Sequence, residues 1–298
     1  MGDRRHELPG LIFTELIQRG NWDMMDELIA PGFVSTGFAG AANGPHEFRA
    51  LIERWRTAFP DMDVRIADLV VDGDRAAWRV EGSGTQTGPL ATPMGEVPPT
   101  GKRARFGGID FGRIGADGRA VEHSSGPDIG LMMTDLGLAP PQPAPPAPTR
   151  PAPASGRGVT HDEAAASITA VFDVINSDTY AGLEDRVHPD YVDHSPIGEV
   201  QGYDGFRTLL DTFRGAIDGF RAVPEGFVVE GTRAAWRTHL TGVHSGELMG
   251  VPATGNAIDV YSHEFGRLAA DGRAAEHWTS MDAGTFMRQL GLLVGADA

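Results

Sequence analysis

Two stretches decide the fold of this chain: GRLAADGRAAEHWTSMD at residues 266–282 and its counterpart GRIGADGRAVEHSSGPD at residues 112–128. In each stretch an Asp-Gly pair lies between two runs that alternate apolar and polar residues. Glycine readily adopts the positive φ that a tight hairpin turn requires, so the pattern predicts a β-hairpin. Each hairpin carries a histidine on its second strand, His123 in the first copy and His277 in the second.

The repetition extends over nearly the whole chain. The run AAWR at residues 76–79 recurs at residues 234–237, and the pair Phe48-Arg49 recurs as Phe206-Arg207. A repeat of about 150 residues is the size of a domain, so the sequence predicts one fold used twice. The predicted organisation is a first domain, a Pro/Ala-rich linker and a second domain, at residues 1–138, 139–158 and 159–298. A proline-rich ligand for another protein is the alternative to the linker.

Each copy predicts the same order of elements. Two amphipathic helices come first, then a short strand, a third helix, three or four long strands and a closing helix. This order predicts an α+β fold in which helices pack on the concave face of a curved antiparallel sheet, a half-barrel with a pocket between the two layers. The long strands are predicted at residues 62–72, 75–83, 102–114 and 119–126, and again near residues 220–230, 233–243, 257–269 and 273–281.

Composition narrows the class of protein. The chain has 298 residues, no cysteine and a formal net charge of −16 at pH 7. The lack of cysteine excludes disulfides, a thiolate nucleophile and Cys-based zinc sites. The negative charge opposes binding to nucleic acid, which depends on clustered Lys and Arg. No run predicts a membrane span and residues 1–6 begin no signal peptide. We therefore expect a cytoplasmic protein that binds a small molecule and neither nucleic acid nor membrane.

Several motifs resemble those of a known family. They are Pro-Thr-Gly at residues 99–101, which becomes Ala-Thr-Gly at 253–255, Ala-Phe-Pro-Asp at 58–61, and Asp-Gly-Arg followed by Glu-His in both copies. Together they resemble the SnoaL-like polyketide cyclases, of the cone-shaped α+β superfamily that includes ketosteroid isomerase, scytalone dehydratase and limonene epoxide hydrolase. The resemblance covers both copies almost end to end. It implies a cofactor-independent cyclase or isomerase that acts on a hydrophobic, polyketide-like small molecule of secondary metabolism.

At one position, both copies of this sequence differ from the family pattern. In cyclases of that family an Asp two positions after the Glu-His histidine is the acid/base of an intramolecular aldol closure. Thr279 and Ser125 occupy that position here, which counts against a simple transfer of the aldol mechanism. Tandem members of the superfamily include epoxide-opening enzymes, in which Asp and Glu residues of the pocket act together. Epoxide opening or hydrolysis, and small-molecule binding without catalysis, are therefore the alternatives.

Candidate site residues are concentrated in the second copy. A histidine can move a proton in either direction near neutral pH, and a neighbouring Asp or Tyr can tune it or hold a carbonyl group. The predicted catalytic residues are Asp193, His194, His263, His277 and Asp282. The predicted substrate-binding residues are Tyr191, Trp236, Tyr261 and Trp278, with His123 and Asp128 from the first copy. Side chains two apart on a strand share a face, so Tyr261 and His263 should point together and Glu264 away from them.

Each candidate also has a structural interpretation. The two hairpin histidines suit hydrogen bonding within the hairpin, and the tryptophans at 78 and 236 suit a hydrophobic core. Asp128 and Asp282 each precede a predicted helix and suit its N-cap. The chain contains no His-x-His or His-Glu-x-x-His spacing, so the sequence predicts neither a metal nor another cofactor.

The two copies differ at the candidate positions. Asp193, His194, His263 and Trp278 of the second copy correspond to Ser35, Thr36, Ile109 and Ser124 of the first. The first copy keeps Asp110, His123 and Asp128. The sequence therefore favours chemistry in the second copy and a supporting role for the first. A tandem chain also holds two sheet faces at high effective concentration, which predicts an intramolecular pseudo-dimer or a homodimer.

Overall fold

The computed structural model describes residues 4–37, 40–92, 95–138, 159–195, 198–248, 250–281 and 283–291. The chain divides into two compact units, Met1–Pro141 and Gln142–Ala298. The predicted linker at residues 139–158 lies outside the described residues. Within the described ranges, every helix is too short or too polar to cross a membrane.

In the described part of the first unit, six strands form one sheet in the order β2-β1-β8-β7-β4-β3. Neighbouring strands are antiparallel except β1 and β8, which are parallel. The strands are β1 (Ile29–Thr36), β2 (Ala42–Asn43), β3 (Asp63–Asp72), β4 (Arg75–Thr85), β7 (Arg103–Ile114) and β8 (Ala120–Pro127), with β5 (Leu90–Thr92) and β6 (Gly95–Val97) paired separately. The helices are α1 (Arg4–Leu11), continued by a π-helix (Ile12–Arg19), a 3₁₀ turn (Trp22–Met24), α2 (Met25–Leu28), α3 (Gly44–Ala58) and α4 (Ile129–Leu136).

The second unit repeats this topology. Its described strands form a six-stranded sheet in the order β10-β9-β14-β13-β12-β11, again with one parallel pair, β9 with β14. The strands are β9 (Val187–Ser195), β10 (Gly198–Gln201), β11 (Ile217–Glu230), β12 (Arg233–His244), β13 (Ala257–Leu268) and β14 (Ala274–Met281). The helices are α5 (His161–Ile175), α6 (Leu183–Arg186), α7 (Gly202–Ala216) and α8 (Ala283–Gln289). The predicted fold class, two tandem α+β domains, is confirmed.

The two stretches that decide the fold form the predicted hairpins. Strands β7 and β8 pair across the turn at Asp117-Gly118, and β13 and β14 pair across Asp271-Gly272. Gly118 and Gly272 have φ values of 79° and 85°, a region that side chains larger than hydrogen adopt with strain. The glycine of each turn is therefore required by the backbone conformation of the hairpin.

The first helix departs from prediction. It begins at Arg4, and from Ile12 it follows a π-helix that ends at Gly20, where φ is 65°. Its counterpart α5 is α-helical through Ile175 and begins with a capping box formed by Thr160 and Glu163. Apolar spacing predicts a helix at both places, but it does not distinguish a π-helix from an α-helix.

Helices cover the sheet face that carries a central tryptophan. In the first unit, Trp78 on β4 packs edge-on against Phe13 of the π-helix, with ring centroids 6.3 Å apart. The ring lies over Gly112 of the adjacent strand β7, and a Cβ atom at this glycine would be 2.9 Å from Trp78 Cη2. The missing side chain of Gly112 therefore makes room for the indole.

The second unit has the same packing. Trp236 on β12 lies edge-on to Phe172 of α5, with ring centroids 6.3 Å apart. A Cβ atom at Gly266 would lie 2.9 Å from Trp236 Cη2. The two units thus place a tryptophan at one equivalent position, and the hairpin histidine lies beside it in both.

Candidate active site

In the first unit, the parallel pairing of β1 and β8 brings together side chains that are far apart in sequence. Ser35 on β1 is in register with His123 on β8, and Ser35 Oγ lies 2.9 Å from His123 Nδ1. The other ring nitrogen, Nε2, lies 3.4 Å from Oδ2 of Asp110 on β7. Ser35 and Asp110 are both buried. The three residues form a line in which a hydroxyl, an imidazole and a carboxylate are in contact.

This line of polar groups lies in the wall of a cavity of about 220 Å³ between the sheet and the helices. Most of the lining is aliphatic or aromatic, including Leu8, Ile12, Phe13, Phe33, Phe48, Leu51, Trp55, Trp78, Phe106 and Met132. The polar lining side chains include Ser35, Asp110, His123, Ser125 and Asp128. An apolar cavity with a few converging polar groups is the usual form of a small-molecule site.

Aromatic rings hold the imidazole of His123 in place. The Trp78 indole is stacked on it, with ring centroids 5.9 Å apart and an angle of 8° between the planes. Phe48 of α3 approaches the same ring edge-on at 6.2 Å. Packing and polar contacts together therefore restrict the orientation of His123, which is a requirement for a group that transfers protons in a fixed geometry.

Asp128 combines two features. Its side chain caps α4, where Oδ1 accepts a hydrogen bond from the Leu131 backbone N–H at 3.2 Å, as predicted from its position before the helix. It also lines the cavity. Burial raises the pKa of Asp128 above the ordinary value, although backbone hydrogen bonds and Arg105 oppose this. A carboxyl group of this kind keeps its proton to higher pH than an exposed one and can act as an acid.

The second unit has a denser polar cluster at the equivalent position. His277 Nδ1 lies 2.9 Å from Asp193 Oδ2, and its Nε2 lies 2.7 Å from Glu264 Oε2. Asp193 Oδ2 also accepts a hydrogen bond from the Tyr191 hydroxyl at 2.7 Å. The Trp236 ring is stacked on the imidazole at 5.6 Å. Asp193 and Glu264 thus replace Ser35 and Asp110, and a second carboxylate takes the place of a hydroxyl.

The two carboxylates, Asp193 and Glu264, favour the protonated form of the His277 imidazole. Burial alone would lower the pKa of His277, but Asp193 and Glu264 outweigh it and raise that pKa to about 10. The side chains of His123 and His277 are equally accessible, at 18% and 17%, so exposure does not distinguish them. His277 is therefore a fixed cation at neutral pH, held between two anions. Burial, and next Asp193, raises the pKa of Tyr191 well above its ordinary value.

The sheet separates the predicted residues of the second unit into two groups. Asp193, Tyr191, Trp236 and His277 lie on the face that α5 covers. His194, Tyr261, His263 and Trp278 have the opposite strand parity and lie on the other face. There His194 is stacked on Trp278 at 4.8 Å, and Tyr261 is stacked on His239 at 4.5 Å. Adjacent residues on a strand point to opposite faces, so these four cannot share one pocket with His277.

Contacts on this second face explain the positions of two candidates. His194 lies between two buried carboxylates, with Nδ1 3.2 Å from Glu199 Oε2 and Nε2 3.0 Å from Glu276 Oε1. Tyr261 is 43% exposed and lies beneath the guanidinium group of Arg237. These contacts satisfy the side chains locally.

Some site residues could not be chosen from the sequence. Glu264 was predicted to point away from Tyr261 and His263, and it does, but the face toward which it points is the one that carries His277. Ser262 and Thr279 donate hydrogen bonds to its two oxygens, at 2.5 and 2.7 Å. Glu264 pairs with Trp236, the core residue of the adjacent strand, and residues that are paired across two strands point to the same face. This pairing is the feature that identifies Glu264 as a site residue. Predicted catalytic Asp282 lies outside the described residues.

A metal site would need several His, Asp or Glu side chains close together in the described ranges of the chain. Among those residues, no three His, Asp or Glu side chains are arranged so that they could hold a metal ion. The polar clusters around His123 and His277 are instead held together by hydrogen bonds and ion pairs.

The repeated fold agrees with the comparison to known protein families. The profile of the SnoaL-like polyketide cyclase family matches residues 11–136 and again residues 165–290. The chain therefore belongs to the SnoaL-like polyketide cyclase family, with two copies of the family domain in tandem. A comparison with curated proteins gave no significant match.

Solved structures that are similar to part of the chain include three bacterial proteins. TsrD from Streptomyces laurentii is 26% identical, with 45% of this chain and 99% of that chain covered and a TM-score of 0.42. IdmH from Streptomyces antibioticus is 28% identical, covering 43% and 98%, with a TM-score of 0.39. A SnoaL-like polyketide cyclase from Agrobacterium tumefaciens is 22% identical, covering 43% and 98%, with a TM-score of 0.37.

Proposed function

We propose that the chain is an enzyme that cyclises a hydrophobic, polyketide-like small molecule by acid/base chemistry, and that the first unit carries the reaction. The observation that supports this most directly is the apolar cavity of about 220 Å³ with His123 and Asp110 in its wall. Family membership supports a cyclase-type activity. The apolar lining supports a hydrophobic substrate, and the substrate class and the reaction are part of the proposal.

The difference between the two histidines is the reason for choosing the first unit. A general base must be neutral before it can accept a proton. His277, with a pKa of about 10, is protonated at neutral pH and cannot accept another proton. His123 contacts one carboxylate, Asp110, and the hydroxyl of Ser35 takes the place of the second carboxylate that His277 contacts. We therefore propose chemistry in the first unit, although the sequence favours the second.

We assign each step of the reaction to a group in the cavity wall. His123 removes a proton from the carbon next to a substrate carbonyl, and Asp110 stabilises the imidazolium that forms. The enolate attacks a second carbonyl of the same molecule and closes the ring. Asp128, which holds a proton more tightly than an exposed Asp, protonates the new alkoxide. The apolar lining excludes water and folds the chain of the substrate so that the two carbonyl carbons approach.

A synthetic diketone tests this proposal without knowledge of the natural substrate. 1-Phenylhexane-1,5-dione closes by intramolecular aldol condensation to 3-phenylcyclohex-2-enone, whose conjugation gives a strong change in ultraviolet absorbance. We expect the full chain to catalyse this closure, and His123→Ala to reduce the rate on the order of 10²-fold or more. The matched variant His277→Ala, measured at a temperature where it is folded, should change the rate much less.

Thermal melting of both variants controls for unfolding. Equal losses of the closure rate in the two variants, or a larger loss in His277→Ala, would contradict the assignment of the reaction to the first unit. Catalysis by the wild-type chain no faster than by free imidazole would contradict the acid/base proposal as a whole.

Epoxide opening is a second candidate because the second unit contains a pair of carboxylates on one imidazole. Asp193 Oδ1 is buried and has no hydrogen-bond partner in the described part of the chain. We assign to this oxygen the activation of a water molecule that enters with the substrate. Hydrolysis of styrene oxide by the wild-type chain, lost in Asp193→Asn and kept in His123→Ala, would support this function. Hydrolysis that is kept in Asp193→Asn and lost in His123→Ala would exclude epoxide opening in the second unit.

A further inference from the structure

The contacts of His123 have an order that acid/base cyclisation does not require. Ser35 Oγ lies 2.9 Å from Nδ1 of the imidazole, and Asp110 Oδ2 lies 3.4 Å from Nε2. If the proton on Nε2 points to Asp110, Nδ1 is an acceptor for the Ser35 hydroxyl proton. A hydroxyl next to a base that is itself oriented by a carboxylate is the arrangement that activates serine as a nucleophile.

The second unit shows what is particular to the first. Asp193 occupies the position of Ser35, and the distance to the histidine Nδ1 is also 2.9 Å. The backbone framework is thus the same, while the first unit presents a nucleophilic hydroxyl where the second presents an anion. Ser35 lines the cavity, so a bound molecule can reach the hydroxyl from the apolar side.

We propose that Ser35, His123 and Asp110 transfer the acyl group of a hydrophobic activated ester first to Ser35 and then to water. This inference relies on the same cavity and the same histidine as the proposed function, but it adds a covalent step and a different reaction. Ser125, two residues after His123 on the same strand face, also lines the cavity. Its hydroxyl is the donor we assign to the oxygen of the tetrahedral intermediate.

The acyl transfer has two stages. Ser35 Oγ bonds to the acyl carbon while its proton passes to His123 Nδ1. The bond from the acyl carbon to the ester oxygen breaks, and His123 returns the proton to the departing alcohol. Water, deprotonated by His123, then attacks the acyl carbon, and the bond to Ser35 breaks as His123 returns the proton to Ser35 Oγ. The products are an alcohol and a carboxylic acid, and the Ser35 hydroxyl is restored.

Two probes test the covalent step on the full chain. A fluorophosphonate should label the wild-type protein at Ser35, as located by mass spectrometry of peptides, and p-nitrophenyl butyrate should be hydrolysed with a burst. Ser35→Ala should lose both signals, and His123→Ala should reduce the labelling rate at least 10²-fold. Ser83→Ala is the matched control, because this serine lies outside the cavity wall on β4, where its hydroxyl contacts Arg103; it should label normally.

The lack of cysteine permits a second, independent measurement. Ser35→Cys introduces a single thiol, whose rate of alkylation by iodoacetamide can be followed against pH. An imidazole in contact should give an apparent pKa below about 8.5, the value for an ordinary thiol. His123→Ala in the same background should remove this shift, and Ser83→Cys should show the ordinary value. A buried, unreactive thiol at position 35, or a rate that does not depend on His123, would overturn the inference.

The outcomes separate this inference from the proposed function. Loss of dione closure in His123→Ala, with no labelling of Ser35 in the wild-type chain, would overturn the acyl transfer and leave the cyclisation intact. Labelling of Ser35 in a wild-type chain that does not close the dione would overturn the cyclisation and leave the acyl transfer intact.

Discussion

Trp78 lies parallel to the imidazole of His123, with the ring centroids 5.9 Å apart and the planes 8° from parallel. The indole can occupy this position because the residue beneath it on the next strand is Gly112. The second unit has the same arrangement of Trp236, His277 and Gly266. A glycine in the sheet therefore makes room for the indole that is stacked on the histidine of each unit.

Gly112→Ala tests this relationship. The added methyl group would lie 2.9 Å from Trp78 Cη2, so the rigid indole must move away from β7. We expect a loss of about 1–3 kcal/mol in the free energy of unfolding, as for other overpacked cores, and at least a tenfold loss in the rate of dione closure. Gly32→Ala is the control, since a Cβ atom there meets nothing within 4 Å. An unchanged closure rate in Gly112→Ala would show that Trp78 does not position His123.

Asp128→Asn separates the two roles of this residue. Asn caps a helix about as well as Asp, so the free energy of unfolding should change by less than about 0.5 kcal/mol. The amide cannot donate a carboxyl proton, so the rate of dione closure should fall on the order of 10²-fold. Asp128→Ala should in addition lose about 1 kcal/mol of stability, because the hydrogen bond to Leu131 is lost. If Asp128→Asn closes the dione at the wild-type rate, the only role of Asp128 is to cap the helix.

The raised pKa of His277 predicts a dependence of stability on pH. The folded chain keeps this proton up to about pH 10, whereas the unfolded chain releases it near pH 6.5. The stabilisation is therefore complete below about pH 6.5 and declines as the pH rises toward 10, by about 1.4 kcal/mol per pH unit. Denaturant unfolding of wild type and His277→Gln from pH 6 to 10 measures it. We expect the difference in stability to shrink as the pH rises; a constant difference would contradict the assignment of the proton to His277.

Ser35→Asp should make the first unit resemble the second. A second carboxylate beside His123 would favour the imidazolium, as Asp193 does for His277. We expect the pH–rate profile of dione closure to move to higher pH, with a lower rate at pH 7. Ser35→Asn, which has a similar shape without the charge, is the control and should leave the profile in place. The two variants shifting together would mean that size, and not charge, causes the effect.

The sequence predicted the fold in some detail because its determinants are local. Predicted strands at 102–114 and 119–126 correspond to Arg103–Ile114 and Ala120–Pro127, since the Asp-Gly turn fixes the register of the hairpin. The helix N-cap at Asp128 was likewise predicted from the residues next to it.

The site was less predictable because it depends on contacts between distant strands. Alternation correctly places Tyr261 with His263 and opposite Glu264, but a period of two does not say which set faces the helices. The answer depends on the register between β12 and β13, where Glu264 pairs with Trp236. The sequence ranks the first copy below the second because the first has fewer ionisable side chains at the candidate positions. The contact of Ser35 with His123 did not enter this ranking, since it joins strands whose pairing has no local signal.

The parallel pairing of β1 with β8 has a consequence for biosynthesis. Ser35 emerges from the ribosome long before its partner His123, and β1 remains without this neighbour until β8 has been made. Contacts between distant residues form slowly because a long loop must close first. The contacts of Ser35 and Asp110 with His123 in the cavity wall therefore form only when the translation of the first unit is nearly complete. A nascent chain that stops before residue 120 contains most of the sheet but lacks the strand that carries the histidine.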